Sequence, residues 1–152
     1  MAKSKSITQI VPDFREALEE GVQTAAEEIV EQLKIAGPYY TGFFESLWQV
    51  NVGRTAVKAD IKDPSTNKKQ RFTRDYTPAD VPESPNLQGY TIGNRADYRL
   101  HAMDIKPSPT GRGAYPAANL TAPKNWYDNY INSKMPETLN RNIWQAFRYR
   151  RN

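Results

Sequence analysis

A chain of 152 residues with 38% apolar side chains, 25% charged ones and a net charge of +4 suits one domain with a modest core and needs no second. Cysteine is absent, which excludes disulfides and thiolate metal sites, and no stretch approaches the roughly 18 apolar residues of a membrane-spanning helix. Nine Tyr, five Phe and three Trp argue against disorder, and they are the residue types that contribute most to small cores and interfaces.

Residues 1–12 read as a flexible N-terminal arm. They carry Lys3 and Lys5 but lack the apolar run of a signal peptide, so a cytosolic product without membrane attachment is expected. From 13 to 35, Phe14, Leu18, Val22, Ala25, Ile29 and Leu33 recur at steps of three and four, the period of one helical face. Asp13 and Glu16 resemble a capping box at the start of this helix, and Gly37-Pro38 stops it. Its other face carries Glu19, Glu20, Glu27, Glu28 and Glu31, either a solvated stripe or a surface for a basic partner.

Trp48, Val50 and Val52 alternate with polar residues, and so do Val57, Ala59 and Ile61 after Gly53-Arg54-Thr55, which predicts a hairpin with one buried face. Residues 63–88 hold Pro64, Pro78, Pro82 and Pro85 among polar residues and read as an extended loop, with room for a short strand near 70–73. Such a length without structure of its own exceeds an ordinary loop, so ordering against a neighbour is expected. Phe72, Tyr76, Val81 and Leu87 would serve as its apolar anchors, and Lys68, Lys69, Arg71 and Arg74 as its steering charges.

A returning strand is expected over 89–92 and a short apolar segment over 96–103, followed by another loop at 107–116. A C-terminal helix spans 124–149, with Asn125 as its cap. Tyr130 and Leu139 are not a helical step apart and Pro136 lies between them, so this helix should be kinked or divided there. Leu139, Ile143 and Phe147 then repeat at steps of four. The expected fold is therefore α+β: a long N-terminal helix and a C-terminal helix packed on a small, mainly antiparallel sheet, in a single domain over 1–152.

Catalytic chemistry finds little purchase. His101 is the single histidine, no Gly-x-Ser-x-Gly elbow exists, and Gly111-Arg112-Gly113 lacks the rest of a phosphate-binding loop. Asp97 and Asp104 flank His101 but match no known metal-ligand spacing. A non-enzymatic protein without metal or cofactor is expected, acting by binding macromolecules. The interleaving of Lys68, Lys69, Arg71 and Arg74 with Phe72 and Tyr76 suits either a nucleic-acid contact or a solvated loop. Arg148, Arg150 and Arg151 suit an acidic neighbour, DNA, or simply the negative end of a helix dipole.

The segment Ala36-Gly-Pro-Tyr-Tyr-Thr-Gly-Phe-Phe-Glu-Ser-Leu-Trp48 resembles the helix-to-strand junction of the small tail-completion, or neck, proteins of long-tailed bacteriophages. Ile92-Gly-Asn-Arg-Ala-Asp-Tyr98 is similar to that family's Asn-x-Ala-x-Tyr strand end, and Trp126 to the Trp that opens its last helix. The three follow one another in the family's order. After Tyr98 the chain departs from the pattern, with Ala102-Met103-Asp104-Ile105 in place of a Val-Glu-x-Gly-like sequence.

The resemblance implies structural roles for Pro38, Thr41, Gly42 and Ser46 at the first junction, and for Asn94, Ala96, Tyr98 and Trp126 further on. It also implies a virion protein of the neck, assembled in the host cytoplasm. Such a protein would form a homo-oligomeric ring, hexamer or dodecamer, around the DNA passage, with other connector and tail proteins as partners and non-specific DNA contact in reach. Its subunit interface would draw on Lys68, Lys69, Arg71, Phe72, Arg74, Tyr76, Arg148, Arg150 and Arg151. A nucleic-acid-binding regulator using the basic loop and basic C-terminus is the alternative.

Overall fold

The structure, a computed structural model, describes residues 7–38, 42–62, 80–103, 122–123 and 125–150. Helix α1 (Ile7–Ala36) is 30 residues long, roughly 45 Å at 1.5 Å per residue. It starts six residues before Asp13, so the expected arm is helical from Ile7 onward and Asp13 lies inside the helix. The reason is that the apolar spacing continues backward through Ile10, Val11 and Phe14. Pro12 removes one rung of the ladder without ending the helix. At the other end Gly37 donates to the carbonyl of Leu33 (3.1 Å), and Pro38 is buried behind it.

Gly42, at φ 84°, turns the chain into the short helix α2 (Phe43–Ser46). Strand β1 (Trp48–Val52) follows and pairs antiparallel with β2 (Tyr90–Asn94), Val50 opposite Ile92. The expected hairpin between 48–52 and 57–61 does not form. Asn51 instead donates to the carbonyls of Thr55 and Ala56, while Ile61 makes a single parallel bridge to Ala96. Val57 is buried as its alternation predicts, but it packs over Gly93, where a β-carbon would lie 2.8 Å from its own. Ala59, expected on the same face, is exposed and Ile61 is half-buried, so the alternation held at Val57 alone and left the pairing partner open.

A single helical turn, α3 (Arg99–Ala102), takes up the apolar segment after β2. The C-terminal helix consists of α4 (Trp126–Asn129), a π turn (Tyr130–Lys134) and α5 (Met135–Tyr149). The break expected near Pro136 is thus a widened turn directly before it, in which Met135 N–H reaches back to the carbonyl of Tyr130. Asn125 precedes α4 in the left-handed region (φ 60°) and makes no side-chain cap, contrary to its expected role.

Helices α1 and α5 pack antiparallel along their length. Gly21 lies directly over the backbone of Asn142 and Ile143, which lets the two helices approach closely. A polar ladder fixes the register: Tyr130 Oη and Thr138 Oγ1 both donate to Gln32 Oε1 (2.9 and 3.1 Å), and Asn142 donates to Glu28 (2.8 Å). The apolar core lies where α1, α2, the sheet and α4 meet, with Ile29, Leu33, Phe44, Ala96, Met103 and Trp126 at its centre.

Candidate interaction surface

The three sequence motifs meet through Phe44, Ala96 and Trp126, which share one buried cluster, while Ser46 is exposed and Tyr98 half-buried. Asn94, completely buried, donates through Nδ2 to the carbonyl of Phe44 (2.7 Å) and accepts from the backbone N–H of Ala96 (2.9 Å). One side chain thereby ties α2 to the end of β2. Ser46 Oγ donates to the carbonyl of Phe43 (2.8 Å), and the rings of Phe44 and Tyr98 lie 6.1 Å apart. Trp126 donates from Nε1 to the carbonyl of Ala102 (2.9 Å) and covers Gly37. Gly42, Pro38, Asn94, Ala96 and Trp126 are all buried, so they hold the fold and offer little to a partner. Thr41 lies outside the described residues.

The exposed surface has two features. The first is the end where the N-terminal turns of α1 meet the C-terminal turn of α5. Phe14 stacks on Phe147 at 4.8 Å, and Phe147 contacts Trp144 at 6.4 Å. Trp144 is nonetheless 66% exposed and Tyr149 81%, and Ile10, Val11 and Phe14 are each about half exposed. Arg141 and Arg148 flank Trp144 at helical spacings of three and four. Register places the residues before Phe14 opposite and beyond the end of α5, which is why their apolar side chains lack cover.

The second feature is a groove along α1. One part, of about 290 Å³, lies against β2, the π turn and Leu139; another, of about 160 Å³, continues past Leu18 to Leu87. Both are lined by Val22 and Tyr90. Burial raises the Tyr90 phenol above its usual value, a hydrogen bond at Ser84 opposes this, and the charges of Glu27, Glu83 and Glu19 add to the rise. Of the three, Glu19 itself lines the groove. Asn86 and Leu87, at φ 58° and 55°, hold the other wall in the left-handed region, where a branched side chain is strained.

Charge at the basic C-terminus is distributed differently from the sequence expectation. Arg150 reaches Glu16 (2.8 Å) and Glu20 (3.2 Å) of its own α1, and Arg141 pairs with Glu28. The hydrogen bond from Arg150 holds the Glu16 carboxyl below its usual value. For Arg150, then, the acidic stripe of α1 is an intramolecular partner. Arg148 is exposed and makes no ion pair among the described residues. Lys68, Lys69, Arg71, Phe72, Arg74, Tyr76 and Arg151 lie outside the described residues, as does Asp104.

Sequence reasoning overlooked Trp144, although its position off the Leu139, Ile143 and Phe147 stripe was a usable signal. It had no signal for the groove, which three separated stretches of the chain build. Among the described residues no cluster of three or more His, Asp or Glu could hold a metal, and no helix is long and apolar enough to cross a membrane. Comparison with protein-family models, curated proteins and solved structures gives no match.

Proposed function

We propose that this chain is a structural virion protein of the bacteriophage neck, one subunit of a ring that joins head and tail around the DNA passage. The observation that supports it most is the meeting of the three family-like segments in one buried junction, fastened by Asn94 between Phe44 and Ala96. Residues far apart in sequence that resemble one family thus act as one structural unit. The exposed aromatic end and the open groove give such a subunit surfaces for neighbours.

Imaging of particles that contain this chain tests the reading. Copies are expected around one closed symmetry axis at the joint between head and tail. A single off-axis copy, or exclusion of the chain from particles, would overturn it. The nucleic-acid regulator has less support, because Arg141 and Arg150 are engaged by carboxylates of α1 and are withdrawn from phosphate. It would show itself as DNA affinity falling steeply with salt.

A further inference from the structure

We infer that neighbouring copies of this chain meet head to tail: the aromatic and basic end of α5 on one copy, carrying Trp144, Arg148 and Tyr149, seats in the groove along α1 of the next. The inference deepens the neck reading, on which it rests for the presence of many copies.

The two surfaces match in kind. The groove offers Leu18, Val22, Leu87 and Tyr90 as an apolar floor, and large exposed aromatic side chains are the natural anchors for such a floor. They also match in charge. Glu19 lines the groove beside Leu18 and forms no ion pair among the described residues, and Arg148, beside Trp144, likewise forms none among them. An acidic rim repels a phosphate backbone, which disfavours nucleic acid as the occupant. The complementary surface is present on the same chain, which favours a second copy.

Geometry prevents the chain from satisfying itself or forming a simple two-fold pair. Leu139 lines the groove, and Trp144, five residues on, points roughly 140° further around the same helix. The two surfaces thus lie on different flanks of the subunit. A contact between different surfaces propagates, closing into a ring when the rotation permits. Positive φ at Asn86 and Leu87 is a strain maintained at the groove wall, and it keeps Leu87 at the rim, 40% exposed.

Sedimentation of the full chain over a range of concentrations at low salt supplies the test. The unaltered protein is expected to associate beyond a dimer, and association should weaken as salt rises. A variant with Trp144→Ser and Arg148→Glu should remain monomeric, as should one with Leu87→Arg and Glu19→Arg. Mixed together, they retain one intact surface each and should form a dimer and nothing larger. Circular dichroism melts matching the parent establish that both variants fold. A parent that stays monomeric, or a mixture that stays monomeric where the parent associates, overturns the inference. A symmetric ring in particles, together with association untouched by these substitutions, would leave the neck reading standing and sink this contact. Head-to-tail association by a chain excluded from particles would do the reverse.

Discussion

A β-carbon added to Gly21 would lie 2.7 Å from the Cα of Ile143, closer than any backbone contact allows. The crossing of α1 and α5 therefore depends on the missing side chain. In an exposed helix a Gly→Ala change gains about 1 kcal/mol. Here overpacking of roughly 1–3 kcal/mol offsets that gain and leaves Gly21→Ala a net loss of up to about 2 kcal/mol, and Gly21→Leu should lose more. Urea denaturation measures this directly, and a stabilised Gly21→Ala would show that the helices can separate at no cost.

Asn94 offers a second test. Asn94→Ala leaves the carbonyl of Phe44 and the N–H of Ala96 without their side-chain partner in a buried site, a loss on the order of 2–4 kcal/mol. Asn94→Asp should not rescue it at neutral pH, since a carboxylate cannot donate to the Phe44 carbonyl. Equal stability of Asn94→Ala and the parent, by thermal or chemical unfolding, would remove the bracket from the account of the fold.

The pairing of Glu28 sets a pH dependence. Burial tends to raise its pKa, but hydrogen bonds from Asn142 and Arg141 outweigh that and hold it below the usual 4.5. A folded-state pKa below the unfolded value stabilises the protein above the unfolded pKa, and that contribution is lost as pH falls through the folded one. Glu16, lowered by Arg150, acts in the same direction. The urea midpoint should therefore drop as pH falls through 4.5 and below it, and less steeply in Glu28→Gln. An unchanged slope in that variant would show that Glu28 contributes nothing to acid sensitivity.

Arg150 and Arg148 should separate by readout, despite lying two residues apart. Arg150→Glu places like charge beside Glu16 and Glu20 and should destabilise the isolated subunit modestly. Arg148→Glu should cost less, because no ion pair among the described residues is broken and only its interaction with the end of the helix dipole is reversed. Equal destabilisation by the two would mean that the Arg150 fork is not the feature that counts.

Legibility in the sequence varied with the range of the interaction. The buried face of α1 was readable because a helix repeats its burial every three or four residues. Its start was not: the local cap signal at Asp13 was outweighed by apolar continuity back to Ile10 and by the contact of Phe14 with Phe147. Alternation identified Val57 as buried yet suggested the wrong partner for β1, since the pleat specifies a face and says little about which strand lies alongside. The basic C-terminus was visible, but its engagement with carboxylates more than a hundred residues away was not. The groove belongs to the same class, assembled from α1, β2, the π turn and the wall at 84–89.

The π turn gives the last helix one residue of slack. Trp126 before it, Tyr130 at its first position, and Thr138, Asn142 and Ala146 after it are all buried, although a uniform helix would carry those positions progressively off one face. A wider turn takes up one extra residue per revolution and so restores the phase. Deleting an exposed residue within it, such as Asn132 or Ser133, would convert the turn to ordinary α-helix and leave both anchor sets facing inward. A deletion at Asn140 would instead rotate Asn142 and Ala146 by roughly 100° out of register with α1. The helix can therefore change length at one place without altering what it presents to the rest of the protein.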